Sequence, residues 1–184
     1  MNIYLIGYMY SGKSTLGRQL AQRLGYNFVD TDQLFEEHYH TTIPLFFQHY
    51  GESAFRILES QVLESTARLD RHVIACGGGT PCRQSNMDFI LSHGLSVYLH
   101  MDFQDVCARM AQSRKVRPVL AAKSPEERRD FVRRQLHQRE AYYCQAQLRF
   151  ESAGTDMQAL ADALHTLVFA HLHRGDLSEI IREE

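Results

Sequence analysis

Apolar positions along the chain alternate between two periods. Residues 2–6 form a short run of strand formers, whereas residues 14–24 place Leu16, Leu20 and Leu24 on one helical face. Residues 26–30 predict a second strand ending in acid, and residues 33–40 a short helix or turn. From 52 to 69, Phe55, Leu58, Val62 and Leu69 recur at helical spacing, leaving Arg56 and Glu59 on a neighbouring face three positions apart. Residues 72–76 predict a strand that stops at Gly77-Gly78-Gly79, followed by a helix over 84–93 and a strand over 95–101. Residues 102–112 read as a helix. Ser124-Pro125-Glu126-Glu127 has the form of a capping box with proline at the first helical position, opening a long helix towards Tyr143. A short strand at 148–150 and a last helix over about 156–173 follow, and a polar tail, 174–184, is expected to fray.

Strands alternating with helices imply right-handed crossovers, hence an α/β fold: three αβα layers around a central, mainly parallel five-stranded sheet. In such sheets ligands collect beyond the carboxyl ends of the strands. The 184 residues, 44% hydrophobic and 23% charged, suit a single domain spanning 1–184. A formal net charge of −2 and a pI near 6.5 supply no global cationic field, so neither a nucleic-acid surface nor a membrane surface is expected. Cys76, Cys82, Cys107 and Cys144 form no C-x-x-C pair or zinc spacing, and no apolar run approaches the roughly 20 residues of a membrane span. The expectation is a cytoplasmic protein, monomeric, with idle thiols. His38 with His40, and His171 with His173, stand at i, i+2 on helices, which turns the rings apart and favours surface positions over metal binding.

Between the first strand and the first helix lies Gly7-Tyr8-Met9-Tyr10-Ser11-Gly12-Lys13-Ser14, which fits G-x-x-x-x-G-K-[ST]. The glycines let backbone N–H groups face phosphate oxygens, while the helix that follows offers its positive dipole end to the same anion. Lys13 is expected on the β and γ phosphates of a nucleotide and the Ser14 hydroxyl on Mg²⁺, with Tyr10, Ser11, Gly12 and Thr15 completing the nucleotide contacts. The motif predicts nucleotide binding but not the reaction. An N-K-x-D base-recognition segment and a D-x-x-G switch are both missing, which argues against a GTPase. A strand-end acid suited to the metal is either Asp30 or Asp102.

Asp30-Thr31-Asp32 closes the second strand, where the two carboxylates suit either a metal and substrate hydroxyl or a helix cap. Taken with the phosphate loop continuing as Lys13-Ser14-Thr15-Leu16-Gly17, with Gly51-Glu52-Ser53-Ala54-Phe55-Arg56 and Glu59, with Gly77-Gly78-Gly79, with Arg117-Pro118-Val119-Leu120, and with Arg139 followed by Tyr143, the chain resembles the shikimate kinase family from Gly7 to about Tyr143. That family has a P-loop, nucleoside-monophosphate-kinase-like fold and moves the γ-phosphoryl group of ATP, with Mg²⁺, to the 3-hydroxyl of shikimate.

By that resemblance Asp32 contacts substrate hydroxyls, Asp30 approaches Mg²⁺ through water, and Arg56 and Arg139 hold the shikimate carboxylate. Gly77, Gly78 and Gly79 bring backbone to the acceptor, and Arg117 closes over the phosphates as a catalytic residue beside Lys13 and Asp32. The resemblance further implies a substrate-binding helical region over about 31–60 and a lid over about 112–124, whose basic residues exclude water. Residue chemistry agrees independently, since a guanidinium fork matches a planar carboxylate. Alone, Arg56 also suits a surface pair with Glu59, and Arg139 a solvated place on a basic helix. Either Arg109 or Arg114 faces the nucleotide, and the adenine loop is expected near 152–156. The chain departs from the family at Cys76, where a small hydroxylated residue is common, at Gln147, where alanine is usual, and before Tyr143, where the family often has proline. The rivals are a kinase for gluconate or a nucleoside monophosphate, and a nucleotide-binding protein without catalysis.

Overall fold

In the computed structural model, which describes residues 1–113, 120, 123–152 and 156–172, five strands make one wholly parallel sheet. β1 (Asn2–Ile6), β2 (Asn27–Asp30), β3 (His72–Ala75), β4 (Gly94–His100) and β5 (Leu148–Glu151) lie in the order β2-β3-β1-β4-β5. The helices are α1 (Lys13–Leu24), α2 (Thr31–Tyr39), α3 (Ile43–Ser65), α4 (Gln84–His93), α5 (Phe103–Gln112), α6 (Pro125–Tyr143) and α7 (Met157–Leu172).

The period of two in β1 divides the core between the faces of the sheet. Ile3 and Leu5 pack with Leu16 and Leu20 of α1 and Leu160 and Leu164 of α7, whereas Tyr4 and Ile6 pack with Leu63, Met87, Ile90, Val132 and Tyr143 of α3, α4 and α6. β1 is buried along its whole length and β2 is not, as a central and an edge strand should be. Among the described residues no helix is long and apolar enough to cross a membrane.

The helix expected over 52–69 is longer at its start and shorter at its end. α3 begins at Ile43, capped by Thr42, whose hydroxyl accepts from the Leu45 N–H, and its regular turns stop at Ser65 before a short 3₁₀ turn at Thr66–Arg68. Gly51, at φ 76° and ψ 174°, breaks it into two limbs, a backbone excursion open to glycine and strained for other residues. The break resets the helical phase, which hides the first limb from any search for a continuous stripe. Its purpose is visible in the packing: Phe46 from the first limb and Phe55 from the second both meet Phe35 of α2, at 5.2 and 4.9 Å between ring centroids.

The strand order positions the site. β3 lies between β1 and β2, so the turn after β3 sits beside both the phosphate loop and the acids that end β2.

Candidate active site

Lys13 opens α1 and is nearly buried, with Nζ donating to the carbonyls of Gly7 (2.8 Å) and Tyr8 (2.9 Å). The loop thus folds back over its own lysine, which keeps the ammonium inside the curve where an anion would sit. The next residue, Ser14, donates its hydroxyl to Asp30 Oδ2 at 2.6 Å, and Asp30 Oδ1 accepts the Asp32 N–H at 3.0 Å. A hydroxyl and a carboxylate side by side are hard oxygen donors of the kind Mg²⁺ prefers. Asp102, the other strand-end acid, spends its carboxylate capping α5 by accepting the Asp105 N–H at 3.0 Å, so Asp30 is the acid joined to the phosphate loop.

The triple glycine draws the remaining groups together. Gly77 donates its N–H to Thr31 Oγ1 at 2.9 Å, and a Cβ on Gly77 would stand 2.5 Å from Asp32 Oδ1. A Cβ on Gly78 would reach the Met9 N–H at 3.3 Å, and one on Gly79 would fall on the Arg56 guanidinium. Gly78 offers its carbonyl to Arg139 Nη1 (3.1 Å) and to the Tyr143 hydroxyl (2.5 Å), which pins the end of α6 to this turn. Arg139 also lies over the Tyr8 ring at 5.5 Å, a cation–π contact that links it to the phosphate loop.

Arg56 binds Glu59 at 2.8 Å and Glu52 at 2.9 Å, and Glu59 accepts in turn from the Thr80 hydroxyl at 2.8 Å. Burial works against the charge of Arg56, but the two carboxylates outweigh it and raise its pKa. Lys13, Ser14, Asp30, Asp32, Arg56, Gly77, Gly78, Gly79 and Arg139 line one cavity of about 1070 Å³, with Tyr10, Gly12 and Thr15 at its phosphate end. Ser11 is fully buried beneath them. The surface-pair reading of Arg56 is thus half right, since its partners lie within the cavity wall.

Arg117 and Arg114 lie outside the described residues, as do most of the lid expected over 112–124, part of the loop near 152–156, His173 and the tail. Arg109 is placed: it donates to Tyr10 O at 2.9 Å and Ser152 O at 2.6 Å, tying the phosphate loop to the end of β5. Sequence reasoning missed the contacts of Thr31, Thr80 and Tyr8. Thr31 carried a signal, standing between two acids at a strand end. Gln147 explains one departure, because its Oε1 accepts from the Ser96 N–H (2.9 Å) and hydroxyl (3.1 Å) and continues the pairing of β4 with β5 by one residue, which an alanine side chain cannot do. Cys76 is buried beneath the site, and desolvation holds its thiol protonated.

The family model for shikimate kinase matches residues 9–168. The chain belongs to the shikimate kinase family. Shikimate kinase from Parabacteroides distasonis is 34% identical over 166 residues, covering 88% of this chain and 96% of its own. The protein of that name from Thermosynechococcus vestitus is 43% identical over 147 residues, covering 80% and 78%. The crystal structure of shikimate kinase from Bacteroides thetaiotaomicron superposes with a TM-score of 0.86 at 34% identity, covering 91% of this chain and 98% of that one. Shikimate kinase from Acinetobacter baumannii in complex with shikimate gives 0.84 at 31%, covering 92% and 93%. A gluconokinase from Sinorhizobium meliloti, at 15% identity and a TM-score of 0.54, shares the fold alone.

Proposed function

We propose that the chain catalyses the reaction for which its family is named, transfer of the γ-phosphoryl group of ATP to the 3-hydroxyl of shikimate, giving ADP and shikimate 3-phosphate. The observation that carries this reading is the meeting of Asp32, Arg56 and Arg139 around Gly77, Gly78 and Gly79, in the cavity that also holds Lys13. Two guanidiniums from separate helices match the carboxylate of a cyclic acid and fix the orientation of its ring. Asp32, linked through Asp30 to Ser14 of the phosphate loop, takes the ring hydroxyl, orients it towards the terminal phosphorus and accepts its proton. A loose transition state asks for positioning and charge stabilisation above all. Lys13 provides the charge at the β and γ phosphates, and Arg117 is assigned to the same oxygens by its place in the family motif. Ser14 and Asp30 would hold Mg²⁺, which neutralises phosphate charge when bound. The setting is the cytosol, with two small-molecule substrates and a monomeric enzyme.

A coupled ADP-release assay with shikimate, gluconate, AMP, CMP and no acceptor tests this directly. Release dependent on shikimate alone is expected, and equal release with every acceptor, or with none, would sink the reading. Asp32→Asn should lower kcat/KM for shikimate by about 100-fold, within the span of positioned acid–base groups. Lys13→Ala should fail with any acceptor, and unchanged kinetics in Asp32→Asn would remove the role given to Asp32.

A further inference from the structure

Arg56 and Arg139 line two adjoining chambers. One is the chamber that reaches Lys13. The other, of about 820 Å³, shares Glu52, Arg56, Gly79, Gln135 and Arg139 with it and is extended by Cys82, Arg83 and Tyr142. That volume alone is enough for a small-molecule ligand. A carboxylate moving from the second chamber to the first therefore stays in reach of the same two guanidiniums throughout.

Arg83 adds a third guanidinium, which lines the second chamber and not the first. It stands in extended backbone at the N-cap of α4, is exposed, and is engaged in no ion pair among the described residues, whereas Arg56 is held by Glu52 and Glu59. Its neighbour Cys82 faces inward: the thiol approaches Gly78 O at 3.8 Å, and Arg139 and Arg56 both act on its ionisation, lowering a pKa that burial raises more. Cys82 is thus tied to the glycine turn, while Arg83 beside it is exposed on the same chamber.

We propose that this second chamber is the entry vestibule for the acceptor, a small cyclic carboxylate, and that Arg83 is the charge that first captures it. The inference rests on the acceptor reading given above. An exposed charge at a rim acts on the rate of encounter and is screened by salt, whereas the buried pair behind it sets the bound geometry. Arg83 contributes a charge rather than a bidentate fork, so lysine should replace it.

The test compares Arg83→Gln, Arg83→Glu and Arg83→Lys with the parent chain at about 20 mM and about 500 mM salt. Steady-state kinetics is paired with calorimetric titration of shikimate and of its 3-deoxy analogue, which keeps the carboxylate but offers no hydroxyl at the reacting position. At low salt the KM for shikimate should rise about threefold in Arg83→Gln and about tenfold in Arg83→Glu, with kcat within about twofold and the KM for ATP unchanged. High salt should close most of that gap, and Arg83→Lys should behave as the parent. A KM for shikimate within about 1.5-fold of the parent in Arg83→Glu, a loss equal for both substrates, or a loss indifferent to salt would overturn the vestibule while leaving the acceptor reading in place. A parent chain that binds neither carboxylate would overturn both.

Discussion

Tyr10 sits inside the phosphate loop with φ at 70°, a left-handed backbone that crowds an L side chain by about 1–2 kcal/mol. Its carbonyl is held by Arg109 at 2.9 Å, and its ring packs on the cluster that contains Tyr8 and Val106. Replacing Tyr10 by Ala or Gly removes the ring in both cases, so the difference between the two variants isolates the backbone. Tyr10→Gly should be the more stable by about 1 kcal/mol in urea unfolding, the reverse of the usual order of these residues. An alanine variant as stable as the glycine one would show that the loop carries no such strain. The fork of Arg56 is likewise engaged, since Glu52 already occupies its edge with Nε and Nη2 at 3.2 and 2.9 Å. In the proposed function, a substrate carboxylate arriving at Arg56 must displace that exposed partner, and exposed i, i+4 pairs are worth about 0.3–0.5 kcal/mol. Glu52→Gln should therefore lower the KM for shikimate by about twofold, and a raised KM would make Glu52 a supporting contact instead. Both cases lay partly hidden in the sequence: the loop motif shows that residue 10 belongs to the cradle, but nothing in the letters reveals the sign of its φ.

Elements with local signals were legible and those set by packing were not. Residues 124–127 fold as the capping box their order predicts, with the Ser124 hydroxyl accepting the Glu127 N–H at 3.2 Å and Glu127 accepting the Ser124 N–H at 2.6 Å. That second bond holds the Glu127 carboxyl below its ordinary range. A depressed folded pKa makes its contribution to stability present above the unfolded value of about 4.3 and lost as the pH falls through the folded one. The melting temperature of the parent chain should accordingly exceed that of Glu127→Gln near neutrality, with the gap narrowing on acidification below about pH 4.5. A gap that widens in acid would mean that the bond does not favour the ionised form. The first limb of α3, by contrast, carries a local start signal in Thr42 and Pro44, but Gly51 interrupts its apolar stripe, and what joins it to the rest of the helix is the aromatic cluster on Phe35, a tertiary fact. The β2 strand, only partly buried, was legible from its branched and aromatic residues together with the acid that ends it.

At the scale of the molecule, each site residue read from the sequence that falls among the described ones lies in or beneath one cavity, although they are drawn from positions 10 to 139. The sequence motifs supplied the candidate groups, and the order β2-β3-β1 brings them together, because it is β3 that carries the triple glycine between the phosphate loop and the acids. What could not be read is the closeness of that turn. Gly79 matters for its lack of a side chain: an ideal Cβ there would overlap Nη1 of Arg56, with Cζ and Nη2 each 2.9 Å away. The guanidinium can shift because an arginine side chain is flexible, but the shift disturbs its pair with the buried Glu59, so Gly79→Ala should fold with a loss of about 1–3 kcal/mol. The withdrawn guanidinium, however, no longer shares with Arg139 the wall of the proposed acceptor site. The KM for shikimate should then rise about tenfold, the loss expected of one charge-assisted hydrogen bond, with the KM for ATP unchanged. An equal rise for both substrates would mean that the turn supports the phosphate loop rather than the acceptor arginines. A variant that binds shikimate as the parent does would place the carboxylate elsewhere in the cavity.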